Sequence, residues 1–303
     1  MSGKEKTKGW SVEHGVMLGR AGHLWRSVWL SGPGIAWMTV FLAVPLLLIA
    51  TMSFMTRGPE GEILIRFTTE NYGRIGGYIE ILVRSIFIGS ATSAACLLAA
   101  LPIAFFIAAL PKHLKILALV LIVIPFWTNL LIRTYAWQLL LAPESWFMRP
   151  LEIIGLVDVT QPIYPGWSAV LIAMMADFLP FMVLPLYASV EKIDWQQTEA
   201  ARDLGASGWS AFRSTVLPQI QPGLIAGLIF VFLPATGQFV IPDLLGGETT
   251  FMVGNVLYEE FIINRDWPFG AAFAVAALSM VAAGLLIHTR FTHNRKERDP
   301  VLL

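Results

Sequence analysis

Charge and cysteine are what this sequence has least of. Among 303 residues only 14% are charged, and the 21 basic and 21 acidic side chains cancel to a formal net charge of zero. That balance leaves no basic footprint for nucleic acid. A single cysteine, Cys96, sits in an apolar run, which excludes an internal disulfide and a cysteine metal cluster. The five histidines, His14, His23, His113, His288 and His293, fall in tails, a short loop or the end of an apolar run, never grouped with carboxylates at ligand spacing. Ser85, Ser90 and Ser93 lack a neighbouring histidine or lysine to activate a nucleophile, and read as packing residues. No G-x-x-x-x-G-K-[ST] loop is present to cradle nucleotide phosphates, since GASGWS lacks the spacing and the lysine. The N-terminal segment has no small-residue cleavage site behind a short apolar core, so no removable signal peptide is expected.

Apolar residues are what the chain has in excess. At 56% hydrophobic and a mean hydropathy of +0.65, it holds more than a soluble domain can bury, and lipid must be part of its solvent. A spanning helix needs about 20 apolar residues. Six windows qualify, near 33–56, 81–110, 116–142, 166–190, 222–245 and 268–288, predicting an all-α, polytopic membrane protein with a six-helix domain over 33–288. The flanks are an N-terminal segment, 1–32, where Trp10, Trp25, Trp29, Arg20 and Arg26 suit an interfacial helix or a disordered tail, and a C-terminal tail, 289–303. With both termini in the cytoplasm, 14 of the 21 basic residues lie inside, which the positive-inside bias favours.

That orientation places the one long polar interval of the second half, EAARDLGASGWSAFRSTVLP at 199–218, in the cytoplasm. Asp194 with Gln197 three residues on predicts a helix start near Trp195, and Gly205 predicts its left-handed end. Ser207 caps a second short helix through Trp209, Phe212 and Val216, which Leu217-Pro218 should break. Small Ala200 and Ala201 permit close approach to another surface, with Glu199, Arg202 and Asp203 charged at the rim. The prolines at 125, 180, 185, 234 and 242 should interrupt the third, fourth and fifth spans, which would then line a cavity. Arg133 and Asp177 fall at similar depths in the third and fourth windows if both are straight helices, and either pair structurally or present Asp177 to a path.

Glu199-Ala200-Ala201, three residues, Gly205, nine residues and Thr215-x-Leu217-Pro218 resemble the EAA signature of permease subunits in binding-protein-dependent ABC importers. Thr215 stands where that family usually has isoleucine, a departure that bears on packing of the second helix. FWTNLLIRTYAW at 126–137, LPFMVLPLY at 179–187, PATGQFVIPDLLGG at 234–247 and NRDWPFGA at 264–271 are similar to the polyamine branch, the spermidine and putrescine permeases. The resemblance implies a type I ABC importer permease fold in the bacterial inner membrane, forming half of a path for a small cation. It implies that the loop at 191–221 seats a coupling helix, with Glu199, Ala200, Ala201, Arg202, Asp203 and Gly205, on a separate ATPase. The partners it implies are a second homologous permease, a dimer of ATP-binding subunits that hold the ATP and magnesium, and an extracytoplasmic substrate-binding protein. No cofactor is expected in this chain. Asp177, Arg133, Gln238 and Asp243 are the candidate path residues, although Gln238 stands where the putrescine-type relatives are often acidic. Glu259 and Glu260 are candidates for the binding-protein surface. Other readings keep the machine and change the cargo to an amino acid derivative, an opine or another small organic solute, or replace it with an ion-gradient carrier, against which the EAA loop argues.

Overall fold

The computed structural model describes residues 32–59, 61–155, 162–247 and 250–298. The expected interfacial helix before Gly32 lies outside them, as does the end of the C-terminal tail. The long apolar windows become helices because an isolated segment in lipid can satisfy its backbone only internally. The first is α1, Gly32–Met52. A short hairpin follows, β1 (Thr56–Arg57) antiparallel to β2 (Ile63–Leu64), then α2 (Glu70–Arg74) and the 31-residue α3 (Ile79–Ala109).

The third window is not one straight span. It divides into α4 (Lys112–Val123), a tight 3-10 turn at Ile124–Trp127, and α5 (Leu130–Leu141). The two parts meet at 95°. Pro125 contributes no donor inside the turn, its carbonyl accepts from the Thr128 amide at 3.2 Å, and Asn129 restarts the helix by accepting from the Leu131 amide at 2.8 Å. The depth estimate for Arg133 that assumed a straight third span is therefore overturned.

After α6 (Met148–Ile153) comes α7 (Trp167–Val190). It contains Pro180 and Pro185 and yet runs unbroken, so the expectation that prolines interrupt the fourth span is corrected: packing on both sides holds the helix across the missing donors. The loop helices are α8 (Trp195–Asp203) and α9 (Gly208–Ala211). Then α10 (Leu217–Thr236) stops at Gly237 and the chain restarts as α11 (Val240–Leu245), so the fifth window is interrupted as expected, although the break falls between Pro234 and Pro242, which themselves lie within helices. The segment that follows carries α12 (Val253–Tyr258) and a π turn at Glu259–Ile263. Finally α13 (Trp267–Arg298) continues as helix well past the expected boundary at 288. Among the described residues five helices are long and apolar enough to cross a membrane, and the bent pair, taken as one span, makes a sixth.

The core is the trio α3, α7 and α10, packed on one another along most of their lengths. Association in lipid depends on close packing more than on hydrophobicity, and the contact faces are correspondingly small: Ser93, Cys96, Ala100 and Ala104 on α3, Ala169 and Ala173 on α7, all buried. On α10 the closest approach falls at Gly223 and Gly227. A Cβ at Gly223 would run into the Pro185 carbonyl and the Ser189 side chain, and one at Gly227 into Met182. These glycines stand four residues apart, a small-residue pattern visible in the fifth window but absent from the sequence expectations.

Candidate functional site

The polar loop folds largely as its caps dictate. Asp194 accepts from the Gln196 amide at 3.1 Å and Gln197 Nε2 donates to Asp194 Oδ2 at 3.2 Å, starting α8. The Asp194 amide is bound elsewhere, donating to Gln219 Oε1 at 2.8 Å. At the other end Gly205 has φ +88°; its amide donates to Arg202 O at 2.9 Å, while the Ala206 amide reaches Ala201 O at 3.0 Å. These are the paired bonds of a Schellman ending, which a residue with a Cβ enters only with strain. Ser207 then caps α9 by accepting from the Ser210 amide at 3.3 Å.

Leu217-Pro218 does not break the second helix, contrary to expectation. The chain stays helical from Gly208 to Thr236, because a π turn over Phe212–Val216 precedes the proline and the Leu217 amide bonds back to Phe212 O. The widened turn absorbs the donor that Pro218 lacks. Thr215, the departure from the EAA pattern, lies in this turn: its hydroxyl donates to Ala211 O at 2.7 Å and lies 3.0 Å from the Thr198 hydroxyl.

On the outer face of this elbow Glu199, Ala200, Arg202, Asp203 and Gly205 are exposed and Ala201 is half-buried. Two residues missed in the sequence dominate its tip. Leu204 is 90% exposed and Trp209 is 73% exposed, its ring stacked on Phe212 at 5.6 Å. A leucine directly before a helix-ending glycine in a polar loop was the available signal.

A second group gathers at the bend. Arg133 Nη2 lies 3.3 Å from Asp177 Oδ2, Nη1 donates to the Pro125 carbonyl at 3.0 Å, and Nε is buried without a hydrogen-bond partner. The guanidinium carbon stands 5.5 Å from the Phe126 ring centre. Phe126 in turn meets Phe181 edge-on at 4.8 Å, and Phe178 lies beyond. Asp177 is 6% exposed. The expected proximity of Arg133 and Asp177 is thus present, reached through a bent span. Gln238 lies apart in its bonding: its Oε1 accepts from the Phe239 and Val240 amides at 2.9 and 3.3 Å, capping α11. Asp243 is exposed on α11, which packs against α5 and α7.

The expected binding-protein contact at Glu259 and Glu260 is corrected at Glu260. Glu260 is 5% exposed and turned inward, so it presents no surface to a partner; Glu259 is half-buried. Burial holds the Glu260 carboxyl above the usual carboxylate range, against a lowering hydrogen bond with Asn264. Nearby, Arg74 pairs with the buried Asp266 at 2.8 Å and lies over Phe269 at 4.0 Å.

The family described as "Binding-protein-dependent transport system inner membrane component" matches residues 14–294. The chain is 38% identical over 269 residues to the spermidine/putrescine transport system permease protein PotB of Salmonella typhimurium (strain SL1344), covering 88% of this chain and 94% of that protein. To the PotB of Escherichia coli (strain K12) it is 39% identical over 258 residues, 84% of this chain and 94% of that one. Among solved structures, a chain from a bacterial ABC transporter involved in the import of the acidic polysaccharide alginate superposes with a TM-score of 0.65 at 18% identity, covering 89% of this chain and 99% of that chain, a likeness of fold. A multi-pass helical chain with this fold, matched over nearly its whole length, is a transport subunit and not an enzyme, and it belongs to the family of binding-protein-dependent transport system inner membrane components.

Proposed function

We propose that this chain forms half of the translocation path for a small cationic solute of the putrescine and spermidine class, driven by ATP hydrolysed in a separate subunit. The observation that carries the reading is the elbow: α8 closed by a complete Schellman ending, with Leu204 at its end and Trp209 on the following α9 both exposed. An exposed apolar pair flanking a capped polar elbow is a docking shape. In this reading Glu199, Ala200, Ala201, Arg202, Asp203 and Gly205 seat against an ATPase dimer that holds ATP and magnesium. A second homologous permease supplies the other half of the path, and a substrate-binding protein delivers the solute from outside. The termini face the cytoplasm of a bacterium whose inner membrane holds the chain, consistent with the distribution of basic residues.

The cargo class rests on the similarity to the two PotB proteins and on the carboxylate at the bend. Asp177, Arg133, Gln238 and Asp243 line the path in this proposal, and the Arg133 guanidinium occupies the Asp177 carboxylate until a cargo ammonium replaces it. A second reading, in which the Arg133 pair is purely structural and the cargo is another small organic solute, is favoured by one observation: Gln238 is an amide whose oxygen accepts from the Phe239 and Val240 backbone amides. Uptake of labelled spermidine into proteoliposomes holding the full complex tests both. The proposal expects uptake that needs ATP and is competed by putrescine; uptake on an ion gradient alone would refute the ATP-driven class, and competition only by uncharged or amino-acid solutes would refute the cargo.

A further inference from the structure

The one residue that α8 buries is a hydroxyl. Thr198 is 7% exposed, while its neighbours Glu199 and Ala200 are exposed. A helix turning a single face inward ordinarily turns an apolar one. Thr198 meets Thr215 at 3.0 Å. Because the Thr215 hydroxyl has one hydrogen and gives it to Ala211 O at 2.7 Å, the hydrogen between the two threonines comes from Thr198. One helical turn further along on each side is a second rung: Gln219 Oε1 accepts from the Asp194 amide at 2.8 Å, and Gln219 Nε2 donates to Thr215 O at 3.0 Å. Residues 194 and 198 on one strand of the elbow are thus tied to 215 and 219 on the other.

At the elbow itself the contacts are fewer. Nothing lies within 4 Å of the position a Gly205 Cβ would take, so the turn is held by its backbone angles and its two Schellman bonds, without side-chain packing against that glycine. Resting on the coupling role proposed above, we propose that Thr198, Thr215 and Gln219 form a polar clamp that fixes α8 to the base of α10. Displacement of α8 by the ATPase then reaches the membrane across the rungs, through the π turn at Phe212–Val216, instead of around Gly205. These three are positioning residues. None is among the exposed residues assigned to the docking face.

The clamp makes an asymmetric prediction. Thr198→Val removes a donor and leaves Thr215 bonded to Ala211 O, whereas Thr215→Val leaves the buried Thr198 hydroxyl without its acceptor, the costlier loss. The readout is solute taken up per ATP hydrolysed, in proteoliposomes of the full complex, with co-purification of the ATPase measured on the same samples. Thr215→Val should lower that ratio severalfold with the ATPase still bound; Thr198→Val should lower it less, and Thr215→Ser should restore the parent ratio. A parent ratio in Thr215→Val, or a Thr215→Ser as deficient as the valine, overturns the clamp. Should Thr215→Val fail to assemble, a Thr198→Cys/Thr215→Cys pair in a Cys96→Ser background replaces the rung covalently: transport retained on oxidation supports the clamp, and transport lost on oxidation overturns it. A failure of the coupling reading looks different. There, parent complex takes up solute without ATP, and the clamp falls with it.

Discussion

Two sharp turns among the described residues, the elbow and the bend, are held by different means. The elbow at 194–219 has every terminus capped: Asp194 and Ser207 at helix starts, the Schellman bonds at Gly205, and the rungs from Thr215 and Gln219. The bend at 124–133 rests on Pro125, the Asn129 cap and one ion pair at 3.3 Å whose Arg133 retains a buried, unpartnered Nε. A fully satisfied network holds one geometry, and a partly satisfied one is more easily rearranged. In the reading proposed above, the elbow carries displacement as one body and the bend changes shape where the solute passes.

Breaking each turn separately sharpens the contrast, and the largest effect belongs to the bend. Asp177→Asn leaves the Arg133 guanidinium without its counter-charge, and should lower stability of the assembled complex by on the order of 3 kcal/mol. Adding Arg133→Gln should recover most of that loss, since the cost lies in the unpaired charge. Thermal unfolding of the single and double variants checks it; a double variant as unstable as Asp177→Asn would mean the pair does not hold the bend.

At the elbow the same scale of damage comes from backbone strain. Gly205→Val places a β-branched residue at φ +88° in open space, a local cost of about 1–3 kcal/mol. Membrane levels should stay normal while ATPase co-purification and uptake fall together. Gly205→Asn, which tolerates the left-handed region, should retain much of both. Equal loss in the two variants would locate the defect in the side chain and not in the turn.

Smaller again is the rim. Glu199→Ala removes an exposed charge, where pairs contribute about 0–1 kcal/mol, and should weaken ATPase binding only slightly; a loss matching Gly205→Val would promote Glu199 from rim to anchor. The smallest effect concerns the pair joining the approaches to both turns. Lys115 on α4 bonds Glu191, at the end of α7, at 3.2 Å. The Glu191 carboxyl is held below its usual range by a hydrogen bond from Tyr187 and then by Lys115. A depressed carboxylate value stabilises the folded state above the ordinary carboxylate range, and this is lost as pH falls through the depressed value. The difference in unfolding temperature between parent and Lys115→Gln should therefore be slight near neutrality, shrink with added salt and vanish in acid. A difference that grew on acidification would contradict the assigned partners.

The same comparison explains what was legible beforehand. The elbow is written locally: an aspartate, a glycine and a serine at cap spacing decide its helices within a turn of themselves. The bend is not. Pro125 signals an interruption, yet Pro180 and Pro185 carry the same signal and leave α7 continuous, because packing from α3 and α10 settles which proline yields. Arg133 and Asp177 meet although the depth arithmetic behind that expectation failed at the 95° turn; opposite charges in apolar surroundings have reason to pair by whatever route the backbone allows. Both π turns were invisible to a 3.6-residue count. One carries the helix through Pro218, and the other contains Glu260, which the chain buries where a solvated loop was expected.

The division of labour between the turns is tested most directly by ATP-driven uptake of labelled spermidine, measured beside ATPase co-purification on the same samples, in Gly205→Val and in the Asp177→Asn/Arg133→Gln double variant. The account predicts that Gly205→Val loses bound ATPase and uptake together, while the double variant keeps its ATPase and loses uptake of the cation. A double variant that sheds its ATPase, or a Gly205→Val complex that keeps its ATPase and transports at the parent rate, would contradict it.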